Sequence, residues 1–555
     1  MFILAGLYLL AGLPLRHARS QWREGKDSAA VATLEKWRSL SLRKGPFDQM
    51  LAIVQLGRGK RQEAAPHLKA IQQGPPSMFP VVRKLEVAEK FVSLGRYQEF
   101  VDYDAAFKDR KEPPSVALYR AAANLGVNRL SEAEAAISSV PKGSVDPKQY
   151  AYLEEAIRDR KTGKFPILFD RSGKAIASFD VRAKDLSSVP GFEGLIDRQG
   201  GPLTVERALN RIGTSGALVT TLDSGVQRAA MAALSQYRGS LVAIDVETNE
   251  ILAVANSPGK GTLENLAFQG SYEPGSVVKV LTSLNAIDSG VDLDKLFPLD
   301  CGGFLVLSKR QFFDWAKHGS VPDLDEALAT SCNVAYAQMG LKIGPQRLKS
   351  FMNRLGFDHE ADLGFFKVPL GKTLGGLPHD YATASFAVGL EFERINSLHI
   401  AILADMVASQ GSLTTPRLLK SRRSILGKEI LFPYDPAQKQ VVQAETTARV
   451  IRAMKTVVTN PRGSGRRAAI PGMSIAMKTG TAGDSANGGY DSVILAFAPA
   501  DAPRIAIGMI AENSGPAERA GAEIARAFFS GVMGLLTGER QPSGGSQPSS
   551  DSVVR

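Results

Sequence analysis

The stretch Glu273-Pro274-Gly275-Ser276-Val277-Val278-Lys279 opens an apolar helical run and places a serine hydroxyl three residues before a lysine amine. Positions i and i+3 lie on one face of a helix, so the amine can reach the hydroxyl and accept its proton. A helix N-terminus also presents free N–H groups that stabilise negative charge developing near the serine. Since a serine is a poor nucleophile until a base activates it, the spacing predicts Ser276 as nucleophile and Lys279 as its base.

The Ser-x-x-Lys pattern is not specific by itself, because it also occurs at Ser41, Ser139 and Ser257. The prediction depends on two further motifs that follow in order, Ser331-Cys332-Asn333 and Lys478-Thr479-Gly480-Thr481. Chance copies of both short patterns exist elsewhere, but the second motif ends an apolar, strand-like segment. Order and context therefore single out these three motifs.

Together the three motifs resemble those of the penicillin-binding protein transpeptidases and their serine β-lactamase relatives. The resemblance extends over about residues 217–533. Residues 217–223 are similar to the family's entry segment, residues 240–253 to its first hairpin, and residues 387–391 and 498–506 to later segments. It implies an α+β penicillin-binding/serine β-lactamase-like transpeptidase domain, with an antiparallel sheet flanked by helices and the site at a sheet edge. The predicted strands are 240–245, 250–255, 473–481, 492–497 and 505–511, followed by a terminal helix over 517–533.

The resemblance also implies roles for the first two motifs. Ser276 attacks the substrate carbonyl, and Lys279 is its general base. Burial and a nearby positive charge lower the pKa of a lysine, which this role requires. Ser331 passes a proton towards the leaving amine, and Asn333 holds Lys279 and the substrate amide.

For the third motif, the resemblance implies substrate binding. Lys478, counted with the catalytic residues, supplies positive charge, while Thr479, Gly480 and Thr481 line the substrate, with the two threonines binding its carboxylate. The backbone N–H groups of Ser276 and Thr481 would form an oxyanion hole, where losing one donor can cost about 10²–10³ in rate.

The implied activity is that of a peptidoglycan D,D-transpeptidase, with stem peptides as substrates, acylation by β-lactams and no cofactor. Three alternatives remain open on the sequence. A D,D-carboxypeptidase would use water as acceptor, and a β-lactamase-like hydrolase would need a deacylating base, for which Asp358, Glu360 and Asp362 are candidates. A non-catalytic β-lactam-binding scaffold or sensor is the third.

Composition bounds the other classes of function. At 555 residues the chain predicts two or three domains. Residues 1–165 carry 27 Lys and Arg against 18 Asp and Glu, which is most of the net charge of +11. This excess of basic residues fits binding to an anionic membrane or cell wall, or simply a solvated basic face.

No basic patch with interleaved aromatics and no Cys/His finger supports nucleic-acid binding. Metal-ligand spacings are absent, so no metal site is predicted, and Cys332 is interpreted as buried packing.

The first residues predict a membrane segment. Phe2 to Leu15 is an uncharged, mostly apolar run, shorter than the ~20 residues needed to cross a bilayer as a helix. We interpret residues 1–20 as a membrane anchor or signal-like segment and favour an uncleaved anchor. This predicts a protein of the bacterial inner membrane with its catalytic domain in the periplasm. A buried first helix of the following domain is the alternative.

Residues 21–164 read as helical repeats. The pairs Leu56-Gly57, Leu94-Gly95 and Leu125-Gly126 each end one apolar helical run and precede another. Their spacings of 38 and 31 residues bracket the 34 of tetratricopeptide repeats, which predicts an all-α solenoid of tetratricopeptide-like helical repeats. A generic helical bundle is the alternative. A solenoid would bind a protein partner, for example a separate glycan polymerase. The remaining predicted divisions are a linker over 165–215, the transpeptidase domain over 216–537 and a disordered tail over 538–555.

Overall fold

The computed structural model describes residues 2–41, 43–74, 82–107, 112–141, 143–180, 185–188, 217–257, 265–307, 309–363, 367–434, 436, 438–484 and 489–537. The predicted tail over 538–555 and residues 181–184 and 189–215 of the predicted linker lie outside these ranges.

The N-terminal region is helical, as predicted. Its helices are α1 Phe2–Arg23, α2 Asp27–Leu40, α3 Gly45–Gly57, α4 Arg61–Gln73, α5 Lys84–Ser93, α6 Tyr97–Ala106, α7 Ser115–Gly126, α8 Leu130–Ser138 and α9 Pro147–Thr162. The apolar run that begins at Phe2 lies within α1. In the described part of the chain, no helix combines the length and the apolar character needed to cross a membrane.

Four of the connections between these helices, all in the described residues, are turns of one repeated geometry. Each turn contains a residue with positive φ, and the next residue donates its backbone N–H to a carbonyl five positions earlier; the positive-φ residues are Gly25, Gly59, Gly95 and Asn128. They recur at intervals of 33 to 36 residues. Of the three Leu-Gly pairs singled out in the sequence, only Gly95 occupies this turn position, because Gly57 and Gly126 are the last residues of α3 and α7.

Large apolar side chains form the core of the helical region. Trp22, Phe47, Phe91 and Phe100 are at most 2% exposed. Two side chains from a distant part of the chain, Ile425 and Leu426, belong to the same buried cluster. The helices therefore pack against the tip of a hairpin that follows the second motif in sequence.

The rest of the chain alternates strands and helices. Its strands are β1 Lys164–Phe169, β2 Ala175–Asp180, β3 Asp185–Ser188, β4 Ala217–Thr220, β5 Gly239–Asp245, β6 Glu250–Ser257, β7 Leu299–Cys301, β8 Phe304–Leu307, β9 Arg310–Phe313, β10 Gly319–Val321, β11 Glu360–Asp362, β12 Lys367–Pro369, β13 Lys372–Thr373, β14 Glu393–Arg394, β15 Ser412–Leu413, β16 Leu419–Arg423, β17 Glu429–Leu431, β18 Lys439–Gln440, β19 Ala476–Asp484, β20 Gly489–Ala498 and β21 Ile505–Ala511. Its helices are α10 Ser224–Leu234, α11 Leu266–Gln269, α12 Val278–Asp288, α13 Leu324–Ala329, α14 Asn333–Ile343, α15 Pro345–Arg354, α16 Asp380–Val388, α17 Ser397–Ala408, α18 Ala444–Thr459, α19 Ala520–Gly531 and α20 Met533–Thr537.

Two sheets organise these elements. A six-stranded sheet has the order β17-β16-β4-β1-β2-β3, and a five-stranded antiparallel sheet has the order β19-β20-β21-β5-β6. The second sheet contains the five predicted strands, and β21 matches its predicted bounds. The strand β19 begins three residues later than predicted, because Met473 instead closes a small bridge with Ile470.

Both faces of the five-stranded sheet are covered. The strand β21 is buried along its whole length, as expected for a sheet packed between helices. Helix α17 lies directly on it, since a Cβ at Gly508 would stand 2.3 Å from the backbone of Ala401. Helices α10 and α19 pack against each other and against this sheet. In the strand order of this sheet, β19, which carries the third motif, is an edge strand. Its outer side can therefore pack against another element.

Candidate active site

The nucleophile motif lies on a tight turn at the start of α12. Gly275 has φ +56°, a conformation that glycine adopts without strain, and a 3₁₀ turn over Gly275–Val277 leads into the helix. The Gly275 N–H donates to the carbonyl oxygen of Gly389 at 3.0 Å. A Cβ at Gly389 would stand 2.1 Å from the Gly275 oxygen. The segment after α16 therefore braces the turn that presents Ser276.

The edge strand β19 touches this turn backbone to backbone. A Cβ at Gly480 would stand 2.8 Å from the carbonyl oxygen of Pro274, and a Cβ at Gly275 would stand 2.9 Å from that of Thr481. Contacts of this kind exclude a side chain at either glycine. The third motif thus needs Gly480 to bring the Thr481 backbone beside Ser276.

The second motif forms a corner between two helices. Ser331 adopts φ +57° between the end of α13 and the start of α14. Cys332 caps α14, and its Sγ accepts the Ala335 N–H at 3.4 Å. Because of this corner, Ser331 and Asn333 both face the side chain of Lys279.

The Lys279 amine uses all three of its N–H donors on this corner. Nζ donates to the Ser331 carbonyl oxygen at 2.6 Å, to Ser331 Oγ at 3.1 Å and to Asn333 Oδ1 at 2.6 Å. The residue has no exposed surface. This arrangement satisfies the ammonium form, so a proton must leave before the amine can accept one from a serine.

Lys478 reaches the same corner from the sheet edge. Its Nζ donates to Ser331 Oγ at 3.0 Å and to the carbonyl oxygen of Thr479 at 2.7 Å, and the residue is fully buried. Two lysine amines and one serine hydroxyl therefore form a continuous hydrogen-bonded chain.

Burial sets the protonation of both lysines. It lowers the pKa of Lys279 to about 8, against an opposing effect of the Asp314 carboxylate. Burial, together with the nearby charge of Lys279, also lowers the pKa of Lys478 well below its ordinary value. A depressed lysine pKa is the condition for general-base catalysis near neutral pH.

One sequence-predicted contact, between Ser276 and Lys279, is absent from the described residues. Within the described residues the Ser276 hydroxyl makes no hydrogen bond, so Lys279 is bonded to the second motif and not to its own nucleophile. The Thr481 hydroxyl accepts the Ala517 N–H at 3.1 Å, and the Thr479 hydroxyl lies 2.6 Å from Ser464 Oγ. Thr481 is the exposed member of the motif and lies at the mouth of the site.

Sequence reasoning missed Asp314, whose side chain is buried against the second motif. Its buried carboxylate accepts the Val334 N–H at 2.9 Å and lies near the thiol of Cys332 and the imidazole of His318. Burial raises the pKa of Asp314, but these donors and the charge of Lys279 outweigh burial and hold that pKa below its usual range. The only local signal is an acidic residue inside the apolar stretch around Phe313.

Trp315 is a second residue that was missed. Its indole N–H donates to the carbonyl oxygen of Thr330 at 3.2 Å, one residue before Ser331, while 60% of the residue is exposed. An exposed aromatic ring held at the rim of a site is available to contact a bound substrate.

The candidate deacylating bases are occupied or exposed. The Asp358 carboxylate accepts hydrogen bonds from the Thr373 N–H at 2.9 Å and from the Thr373 hydroxyl at 2.7 Å. These bonds hold the Asp358 side chain within its own loop. Glu360 and Asp362 lie on the short strand β11 and are exposed.

Comparison with curated proteins and solved structures gives a consistent picture. The peptidoglycan D,D-transpeptidase PbpA of Mycobacterium tuberculosis is 26% identical over 339 residues, which cover 54% of this chain and 67% of that protein. The probable peptidoglycan D,D-transpeptidase PenA of Neisseria meningitidis is 27% identical over 406 residues, covering 66% of this chain and 65% of the relative. The matched segments thus span about two thirds of each relative's length.

The solved structures show the same fold. The D,D-transpeptidase domain of a peptidoglycan glycosyltransferase from Eggerthella lenta superposes with a TM-score of 0.58 at 24% identity, covering 67% of this chain and all of that one. PBPA from M. tuberculosis gives 0.59 at 22% identity with the same coverage. The family described as the penicillin binding protein transpeptidase domain matches residues 239–534, more than half of the chain. The chain therefore belongs to the penicillin-binding protein transpeptidase family.

Proposed function

We propose that this chain is a serine-type D,D-transpeptidase that cross-links peptidoglycan stem peptides through a Ser276 acyl-enzyme. The observation that carries the proposal is the Lys279 amine. It is buried between the nucleophile helix and the second motif, and its pKa is lowered to about 8. The relatives, which are named as peptidoglycan D,D-transpeptidases, point to the same reaction.

In the acylation step, Lys279 first loses a proton and its lone pair becomes free to accept the Ser276 hydroxyl proton. The Ser276 oxygen then bonds to the carbonyl carbon of the penultimate D-Ala. The charge that develops on the carbonyl oxygen falls where the backbone N–H groups of Ser276 and Thr481 would bind it.

Collapse of this intermediate breaks the bond to the terminal D-Ala. Its amine needs a proton, and Ser331 Oγ, hydrogen-bonded to both Lys279 and Lys478, is placed to relay one. An amine of a second stem peptide then attacks the ester carbonyl and forms the cross-link. Ser276 leaves as its hydroxyl, with the proton returned through the same chain.

Substrate recognition is assigned to the edge strand. The exposed Thr481 and the buried Thr479 would bind the terminal carboxylate of the stem peptide, with the Lys478 side chain behind them. A bound carboxylate would displace the hydrogen bond between Thr479 and Ser464.

No observation favours the hydrolase alternative, because Asp358 is engaged by Thr373. The decisive experiment labels the full chain with a fluorescent penicillin and compares wild type with Ser276→Ala. Ser41→Ala is the matched control, since it removes the serine of another Ser-x-x-Lys pattern. Stable labelling that is lost only in Ser276→Ala supports the proposal.

Other outcomes distinguish the alternatives. Rapid loss of label would indicate a hydrolase, and absence of labelling in folded wild type would contradict the Ser276 acyl-enzyme. A stem pentapeptide supplied with an acceptor amine then separates cross-linking from carboxypeptidase release of D-Ala to water.

We also propose that the N-terminal helices form a tetratricopeptide-like stack that binds a protein partner, such as a separate glycan polymerase. The recurrence of one turn geometry at 33 to 36 residues supports this, because stacked helix pairs repeat at 34. Exposed apolar side chains on α2, Trp37 and Leu40, would contribute to the partner surface. Co-purification of a polymerase with wild type, reduced in Trp37→Ala but retained in the control Leu431→Ser, would support this role.

For residues 1–20 we propose an anchor in the bacterial inner membrane, with the catalytic part in the periplasm. The uncharged run from Phe2 to Leu15 is its support. Membrane fractionation of cells expressing the full chain, compared with a chain lacking residues 1–20, tests it. Equal recovery of both in the soluble fraction would contradict it.

A further inference from the structure

The two cysteines of the chain meet at one carboxylate. Cys301 Sγ lies 3.4 Å and Cys332 Sγ 3.3 Å from Asp314 Oδ2, and the three ligating atoms all lie within 4.8 Å of one another. The three residues come from strand β7, from the loop before β10 and from the cap of α14. Spacing along the chain gave no sign of this cluster, because the fold assembles it.

A fourth potential ligand, His318, lies next to Asp314 but outside the group of three atoms that are mutually within 4.8 Å. His318 Nε2 lies 3.2 Å from Asp314 Oδ1, and its side chain is 5% exposed. The Trp315 ring packs edge-on against the imidazole, with ring centroids 5.1 Å apart. This aromatic cover shields the cluster from solvent.

The two sulfur–oxygen distances agree with a tetrahedral metal site, in which the His318 imidazole would have to approach the two sulfur atoms. With Zn–S bonds of about 2.3 Å and Zn–O bonds of about 2.0 Å, adjacent sulfur and oxygen ligands of a tetrahedron lie about 3.5 Å apart. The two sulfur–oxygen distances, 3.4 and 3.3 Å, agree with that separation. Thiolate and imidazole donors with one carboxylate select zinc over magnesium or calcium, which prefer all-oxygen sites.

We propose that Cys301, Asp314, His318 and Cys332 bind one structural zinc ion beneath the second catalytic motif. Binding replaces the two S–H bonds with Zn–S bonds and releases both protons to solvent. Two thiolates and one carboxylate exceed the ion's charge by one.

The ion would fix the geometry of the active site without touching substrate. Cys332 stands between Ser331 and Asn333, the two residues that hold the Lys279 amine. A metal bond to Cys332 would tie this corner to β7, and so hold Ser331 in its positive-φ conformation. The four ligands are thus positioning residues.

The test uses the full chain purified without chelator. Elemental analysis is expected to give one zinc per chain. Replacing zinc with cobalt(II) is expected to give the charge-transfer and visible bands of a tetrahedral cobalt–thiolate site. Cys301→Ser, Asp314→Asn and His318→Ala are expected to lose most of the metal. Asp300→Asn and His359→Ala, which alter exposed side chains of the same types, should keep it.

The wild-type measurements alone can overturn the proposal, even if a ligand variant fails to fold. A metal-free chain that gains no cobalt bands on titration, or a Cys301–Cys332 disulfide found by mass analysis without reduction, would overturn it. Removal of zinc should also slow penicillin acylation, and added zinc should restore it. A metal-free chain acylated at the wild-type rate would contradict the positioning role.

Discussion

Lys279 and Lys478 share one acceptor, because the Ser331 hydroxyl oxygen lies 3.1 Å from the first amine and 3.0 Å from the second. Two ammonium groups at such a short separation repel each other, and both residues are buried. The pair is therefore most stable when one of the two amines is neutral. Since Ser331 contacts both, it can exchange a proton with either.

The first prediction concerns the pH dependence of acylation. Because the pKa of Lys279 is about 8 and the base must be neutral, the acylation rate with penicillin should rise about tenfold per pH unit below 8 and level off above it. Stopped-flow labelling between pH 6 and 9 measures this. Lys279→Arg, which keeps the positive charge but cannot deprotonate, should lose about 10²–10⁴ in rate at all pH values. A wild-type acylation rate that does not change with pH would show that Lys279 is not the base.

The second prediction introduces a negative charge at the second motif. Asn333→Asp would place a carboxylate where the amide oxygen now lies, 2.6 Å from the Lys279 amine. An adjacent opposite charge favours the ammonium form, so the pH profile should move up by about 1 unit or more. Asn333→Ala, which removes the hydrogen bond without adding charge, should slow acylation without that upward shift. An unchanged midpoint in Asn333→Asp would show that the contact does not govern the base.

The third prediction tests the contact between the edge strand and the nucleophile turn. In Gly480→Ala the new methyl would stand 2.8 Å from the Pro274 oxygen and 3.2 Å from the Val277 nitrogen. The strand must then move away, which should lower the acylation rate about 10²-fold by misplacing an oxyanion donor. Gly376→Ala is the control, since its Cβ would enter open space. Wild-type acylation in Gly480→Ala would mean that the strand contact is dispensable.

The fourth prediction concerns acid stability. Burial lowers the pKa of His399 to about 4, although its Nε2–H donates to the Leu355 carbonyl oxygen at 2.9 Å. Between pH 6.5 and 4, His399 therefore binds a proton in the unfolded chain but not in the folded chain. Stability should fall across this window as pH decreases, by about 3 kcal/mol in total.

Urea unfolding of the full chain at pH 7 and at pH 4.5, followed by tryptophan fluorescence, measures this loss. His399→Gln, which cannot be protonated, should reduce the difference between the two pH values. His359→Gln alters an exposed imidazole and should not. Equal pH sensitivity of wild type and His399→Gln would contradict the assignment.

The fifth prediction uses the repeated turns of the helical region. Asn128 has φ +61° at the position where the equivalent turns carry glycine. Asn128→Gly should therefore be neutral or slightly stabilising, whereas Asn128→Val should cost about 1–2 kcal/mol. Thermal melting of both variants provides the measurement. Equal stability of the valine and glycine variants would show that the turn relaxes.

The catalytic part could be predicted from the sequence because its signals are local. The three motifs each keep their chemistry within a few residues, and strands such as β21 show as continuous apolar runs. The start of β19 could not be predicted, because Met473 and Ile475 are as apolar as the strand itself and only the bridge between Ile470 and Met473 shows that the strand has not yet begun.

The register of the helical region was harder to predict. A search for Leu-Gly pairs selects helix-end glycines at Gly57 and Gly126 together with a turn glycine at Gly95. The resulting spacings of 38 and 31 residues are uneven for that reason. The physical marker is the positive φ, and at Asn128 an asparagine supplies it, which hides the last turn from a search for glycine.

The support beneath the second motif had no local signal at all. Cys301, Asp314 and Cys332 are far apart in sequence, and each alone is an ordinary buried or half-buried residue. Their meeting depends on how the hairpin β8–β9 folds between β7 and α14. Such clusters can only be recognised once tertiary structure is known.

The six-stranded sheet has a consequence for how the two parts of the chain stay together. Strand β1 follows the last N-terminal helix and pairs in parallel with β4, the entry to the catalytic part; β2 and β3 continue the same sheet. Residues 188 and 217, the described residues on either side of the interval 189–216, therefore both belong to strands of one sheet. Lengthening a loop costs little free energy. A protease cut or a long insertion in that interval should leave the helical and catalytic parts joined, so that this interval can diverge in length while the assembly persists.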